Sequence, residues 1–99
     1  MTFSIEIHPD ARREWKKLDP DIKLQATRKL GSLMENPRVP ASQLRGMPDC
    51  YKVKLHSAGY RIIYQVIDSR LVILIVAAGK RDAGKADVYD TAEGRLQAK

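Results

Sequence analysis

The chain has 99 residues, 43% of them hydrophobic and 30% charged, with a net charge of +6. That length supports one domain, residues 1–99, with one modest core. The composition excludes a disordered or low-complexity chain, and no apolar run approaches the roughly 20 residues that cross a bilayer, so no membrane association is expected.

Residues 2–8 alternate as a strand with Phe3, Ile5 and Ile7 on one face, and Pro9 ends the pattern. This start lacks the basic segment and apolar run of a secretory leader, so cytoplasmic residence is expected. Ala11, Trp15 and Leu18 then fall at i, i+4 and i+7, the single apolar stripe of a helix. Asp19-Pro20 restarts the helix, aspartate at the N-cap and proline in the first helical position. The second helix carries Ile22, Ala26, Leu30, Leu33 and Met34 on one face and must stop before Pro37, because a residue preceding proline avoids the helical region. The two form a helical hairpin, with Trp15 in the core. Residues 37–50 read as a connecting loop.

Three strands are expected at 51–56, 59–67 and 70–79, joined by tight turns at Ser57-Ala58 and Asp68-Ser69. The last of them is apolar on both faces, which calls for a central position or cover on both sides. Residues 82–88 are polar and turn-like, and a short helix is expected from Asp90 to Leu96. Cys50 is the only cysteine, so no internal disulfide can form, and it reads as a small packed residue. His8 and His56 are isolated and show no ligand spacing, so neither metal nor cofactor is expected.

The charge is unevenly spread. Between Cys50 and Arg81 stand Lys52, Lys54, Arg61, Arg70, Lys80 and Arg81 against one acid, Asp68, which places +5 of the +6 in the strand-rich third. Pairing Leu55 with Tyr60 sets Lys54 opposite Arg61 and Val53 opposite Ile62. One sheet face then holds Tyr51, Val53, Leu55, Tyr60, Ile62, Tyr64 and Val66, and the other Lys52, Lys54, Arg61 and Gln65; a one-residue slip would mix the sets. The sheet is expected to have a core face packed by the helices and a basic face. Lys52 and Lys54 lie about 6–7 Å apart on one side of their strand, and like charges so placed are unfavourable unless an anion binds there. Nucleic acid is the anion that such a concentrated basic surface fits, and an acidic protein partner could use the same surface. The tyrosines Tyr51, Tyr60 and Tyr64 read as sheet packing.

Leu44-Arg-Gly-Met-Pro-Asp-Cys-Tyr-Lys52, Gly59-Tyr-Arg-Ile-Ile-Tyr-Gln-Val-Ile-Asp68 and Gly79-Lys-Arg81 resemble the RelE toxins of bacterial toxin–antitoxin pairs. The resemblance runs from the first strand through Tyr89. It implies an α+β fold of order β-α-α-β-β-β with a C-terminal helix, antiparallel strands 2–4 and the helical hairpin on one sheet face. It also implies a ribosome-dependent endoribonuclease that cuts mRNA in the decoding site (the A site of the small subunit) and is neutralised by a cognate antitoxin protein. By position, the family's catalytic lysines correspond to Lys52 and Lys54, its active-site arginines to Arg61 and Arg81, and its functional tyrosine to Tyr89. Arg45, His56, Lys80 and Lys85 are expected to contact RNA or ribosome. The stretch Arg81–Tyr89 is two residues longer than in close members, Ala83 stands where a further arginine is common, and His56 stands where the closest relatives carry arginine.

Cleavage by such a set would use the RNA's own 2′-hydroxyl. A cationic neighbourhood disfavours a protonated amine, so a lysine, Lys54 in particular because it faces Arg61, is expected to act as base while Lys52 holds phosphate. Arg61 would clamp the phosphate as a planar fork, Arg81 would stabilise the transition state, and Tyr89 would stack on a base or orient the 2′-hydroxyl. His56 reads as an exposed corner residue near phosphate, with an auxiliary acid–base role as the sharper alternative. Two rival functions share this sequence: a same-fold toxin acting on another target such as DNA gyrase, and a non-catalytic RNA- or ribosome-binding module.

Overall fold

The computed structural model describes residues 2–55, 59–81 and 87–97. Strand β1 (Ser4–Ile7) leads through a 3-10 turn at Pro9–Ala11 into helix α1 (Arg12–Lys17) and helix α2 (Pro20–Ser32). Strands β2 (Cys50–Lys54), β3 (Tyr60–Ile67) and β4 (Val72–Lys80) follow, and helix α3 (Val88–Gln97) closes the order. The sheet runs β1-β4-β3-β2, antiparallel through β2, β3 and β4, with β1 parallel to β4. The doubly apolar strand is therefore internal, as its composition requires.

The expected register is the observed one. Lys54 lies opposite Arg61, Val53 opposite Ile62 and Tyr51 opposite Tyr64. On the front face α1 and α2 bury Leu18, Ile22, Ala26 and Leu30 against Tyr51, Val53, Ile62, Tyr64, Ile73 and Ile75. Trp15 packs at the margin of this core. Tyr51 and Tyr64 stack with ring centroids 5.6 Å apart, and the buried Tyr64 hydroxyl donates to the Pro37 carbonyl at 2.7 Å. Burial pushes the Tyr64 hydroxyl up to about 12, so this ring is packing, in line with its expected role.

The other face corrects the expectation of a basic surface. Ile63 shares it with Arg61 and is fully buried, and Met47, Cys50, Val76, Ala77, Val88 and Ala92 form a second apolar core beneath α3. An irregularity in β4 beside Ile63 and Tyr64 puts Val76 and Ala77 into the same cluster, which turns an otherwise alternating strand toward the third helix. Cys50 is completely buried there, and burial pushes its thiol up to about 11.

Several boundaries move. Helix α3 begins at Val88 rather than Asp90, because Val88 is an anchor of the second core. Helix α2 ends at Ser32, so Leu33 and Met34 lie past it in the turn. Asp19 occupies the N-cap position but its side chain makes no capping bond. The turn before β4 is not a two-residue hairpin. It is a 3-10 turn at Asp68–Arg70 followed by Leu71 in the left-handed region (φ 51°). The Ser57-Ala58 turn lies outside the described residues.

Two charged clamps hold the periphery. Beyond β1 the edge of β4 lacks a strand partner. Glu14 there accepts from the Ala78 N–H at 3.1 Å, while Arg95 donates to the Val76 carbonyl at 2.9 Å. Arg95 also forks onto both oxygens of Glu14 at 2.8 and 2.6 Å. One ion pair thus satisfies an exposed strand edge and ties α1, β4 and α3 together. The second clamp is Arg38, which grips both oxygens of Asp68 at 2.8 and 2.9 Å and reaches Asp49 at 3.2 Å. Asp49 has φ 59° and takes the Val66 N–H on its carbonyl, so the clamp fixes the loop that delivers β2.

The hydrogen bonds from Arg38 hold the Asp68 carboxyl below its ordinary pKa. A depressed carboxylate contributes stability above its unfolded pKa, and that contribution is lost as pH falls through the folded one. Asp68→Asn is expected to lower the urea midpoint at pH 7 and to flatten its decline below about pH 4. Equal midpoints for both proteins at pH 7 would show that the clamp contributes nothing.

Candidate functional site

The hydrogen-bond phase of the β2–β3 ladder decides which cations meet. Leu55 donates to the Tyr60 carbonyl at 3.1 Å, so Lys54 and Arg61 form the intervening non-hydrogen-bonded pair, whose Cα atoms approach to about 4.5 Å. Lys52 sits two places along, on the same side. Arg61 lies in turn opposite Gly79 of β4. With no side chain at Gly79, Val88 of α3 comes down onto the strand, within 4.0 Å of the Cβ position. The start of α3 is thereby docked at the Arg61 end of the sheet, and Tyr89, the next residue, is half-buried against the second core.

Arg61 is the one charged residue among the described buried set, at 9% exposure. One terminal nitrogen donates to the Tyr60 carbonyl at 3.0 Å, while the buried Nε has no hydrogen-bond partner. Among the described residues no carboxylate pairs with it. Burying a guanidinium without a counter-charge is unfavourable, and the arrangement makes chemical sense when an anion completes it. Arginine's planar fork suits a phosphate or carboxylate, which it can bind through two parallel hydrogen bonds.

Arg81 follows β4, and its N–H donates to the Gly59 carbonyl at 3.0 Å. Gly59 adopts φ 75°, a conformation that glycine reaches without cost. Arg81 stands two places beyond Gly79, which strand alternation assigns to the Arg61 side.

The structure thus gathers Lys52, Lys54, Arg61 and Arg81 at one end of the sheet and leaves other expected contacts elsewhere. Lys80 is opposite Tyr60 and its ammonium lies over that ring, 5.5 Å from the centroid, on the front face. Arg70 is bound to Glu6 at 3.1 Å. The +5 of the strand-rich third is therefore divided rather than pooled. Arg45 is exposed in the loop that reaches Cys50, at the far end of β2 from Lys54, about 13 Å along the strand. It lines an open cleft of about 560 Å³ with Gln43, Leu44 and Met47. His56 and Lys85 lie outside the described residues.

One residue joins the site unannounced. Lys29 of α2 donates its ammonium to the Lys54 carbonyl at 2.5 Å. The signal for it was a charge on the apolar stripe: position 29 is seven past Ile22, three past Ala26 and four before Leu33. Among the described residues no group of three or more His, Cys, Asp and Glu side chains is placed to hold a metal, and no helix is long and apolar enough to cross a membrane.

The profile of the family described as "ParE toxin of type II toxin-antitoxin system, parDE" matches residues 5–83. The mRNA interferase toxin RelE of Escherichia coli K12 is 43% identical over 96 residues, covering 97% of this chain and 99% of that protein. A double arginine-to-alanine mutant of E. coli toxin RelE, solved in the free state, superposes with a TM-score of 0.86 at 43% identity, over 97% of this chain and 99% of its own. The toxin in the intact E. coli RelBE toxin–antitoxin complex gives 0.77 at 44% identity, over 81% and 98%.

Replacing a buried cation that has no counter-charge among the described residues by an apolar side chain of similar volume is expected to relieve strain on the fold. Arg61→Met should raise stability by about 1–4 kcal/mol in denaturant titration. A loss of several kcal/mol would instead show that Arg61 has a stabilising counter-charge in the free protein.

Proposed function

The chain belongs to the RelE family of toxins of bacterial type II toxin–antitoxin systems, and from that premise we propose that it is an mRNA interferase, a ribosome-dependent endoribonuclease. It cuts mRNA in the ribosomal A site, stops translation in the cytoplasm, acts as one toxin domain over residues 1–99, and is held inactive by a cognate antitoxin protein. The observation that carries the reading is the buried Arg61 fork with its unpartnered Nε, set directly across from Lys54.

The reaction is attack of the 2′-oxygen on the adjacent phosphorus. Lys54, as a neutral amine, accepts the 2′ proton. The O2′–P bond forms and the P–O5′ bond breaks, leaving a 2′,3′-cyclic phosphate and a 5′-hydroxyl. Arg61 grips the non-bridging oxygens, and Lys52 supplies a second charge to the phosphorane. Arg81 stabilises the transition state and returns a proton to the departing 5′ oxygen. Tyr89 orients the nucleotide from the start of α3. Guanidinium and amine groups are poorly matched to proton transfer near neutral pH, so cleavage of free RNA is slow. Alignment of the message in the decoding site supplies the missing rate, as a proximity effect can.

The profile match, described for ParE toxins, favours as second reading a same-fold poison of another target such as DNA gyrase. That activity needs the scaffold and has no use for a buried phosphate fork beside two lysines.

On ribosomes programmed with a defined message, Lys54→Ala is expected to reduce the single-turnover cleavage rate by about 10²–10⁴. Arg81→Ala is expected to reduce it by about 10²–10³. Parental rates in both variants would remove the assignment.

A further inference from the structure

Strand β2 forms a free edge of the sheet. Because Leu55 bonds inward to Tyr60, the backbone groups of Lys52 and Lys54 face outward. Near the start of β2 this edge is covered, since the Leu44 N–H meets the Cys50 carbonyl at 2.9 Å. Farther along it opens into a groove of about 460 Å³ between β2, the end of α2 and the 39–42 turn, lined in part by Lys29, Ser32, Ser42, Lys52 and Lys54. None of its described lining residues is acidic.

Lys29 is the unusual member. It is half-buried on the apolar stripe of α2 and spends one of its three donors on the Lys54 carbonyl. Its ammonium therefore sits within reach of Lys54 without neutralising it. Three lysines and two serines line an edge that begins at the Lys54–Arg61 pair. We infer that this groove is a phosphodiester-binding subsite, in which Lys29 holds a backbone phosphate of the RNA strand as it passes over the β2 edge beside the scissile bond. The inference rests on the RNA-cleaving reading and extends it. Lys29 is thus an RNA-binding residue, and the chemical step remains with Lys54, Arg61 and Arg81.

A phosphate contact has a signature that a packing role lacks. Each lost contact to single-stranded nucleic acid reduces the slope of log affinity against log salt by about 0.7. Lys29→Met keeps the aliphatic stem, and Lys29→Gln keeps a donor for the Lys54 carbonyl should the first variant fold poorly. In single-turnover cleavage on programmed ribosomes, both are expected to raise the half-saturating concentration about tenfold, the worth of one charge-assisted hydrogen bond. The salt slope should fall by about 0.7, with the rate at saturation unchanged.

A message truncated just past the cut site separates two sources of phosphate. An effect lost on truncation assigns the groove to mRNA, and one retained assigns it to ribosomal RNA. Unchanged half-saturation and slope, or a loss confined to the saturated rate, would overturn the proposal. So would weakened neutralisation by the antitoxin with unaltered RNA parameters, which would make the groove a protein site. Absence of any new RNA ends with the parental chain would instead refute the RNA-cleaving reading itself.

Discussion

The pairing of β2 with β3 in a single register is the constraint on which fold and site both depend. With Tyr51 across from Tyr64 and Lys54 across from Arg61, the aromatic residues stack into the front core while the cations turn to the opposite side. Strand side chains alternate with a period of two, so a slip of β2 by one residue would drive Lys52 and Lys54 toward the helices and turn Tyr51 and Val53 out of the front core. The energy that selects this register is apolar burial at Tyr51, Val53, Ile62 and Tyr64. The cations are carried into position by it and contribute none of it.

That division explains how a cluster of like charges survives. Lys52, Lys54 and Arg61 repel one another, and Arg61 is also desolvated. The surrounding structure outweighs this cost: two cores grip the sheet from its two faces, and the Glu14–Arg95 pair locks α3 to the unpaired edge of β4. Docking of α3 is what brings Val88 onto Gly79 and Tyr89 toward Arg61's end of the sheet. The helix that completes the second core thus also lies at the Arg61 end of the sheet. Strain retained at a functional cluster and offset elsewhere is the pattern expected of a site organised for an absent charge.

Much of this was legible in the sequence because alternation and helical stripes report burial directly. The register, the internal position of β4 and the packing role of Tyr64 followed from period-two patterning alone. What escaped was the second core: Ile63 lies on the same face as Arg61, and reading that face by its charges hid the apolar residues around them. Local pattern also cannot place a long-range partner. Glu14, Lys29 and Arg95 each interrupt an apolar helical stripe, at Ala11–Trp15–Leu18, Ile22–Ala26–Leu33 and Val88–Ala92. In the structure each makes a polar contact with another element, part-buried for Glu14 and Arg95 and exposed for Lys29. A charge on a stripe marks such a contact without naming its partner. Arg70 and Lys80 show the converse, since a count of charges along the chain says nothing of Glu6 or the Tyr60 ring that occupies them.

If these cations make RNA cut itself through its own 2′-hydroxyl, the bond cannot break once that hydroxyl is removed. The direct measurement uses ribosomes programmed with a message carrying a single 2′-deoxynucleotide on the 5′ side of the cut bond. The protein should still engage the ribosome, the all-ribose message should yield a 2′,3′-cyclic phosphate end, and the deoxy message should stay intact at that bond. Cleavage of the deoxy message at the same position and rate would contradict this mechanism.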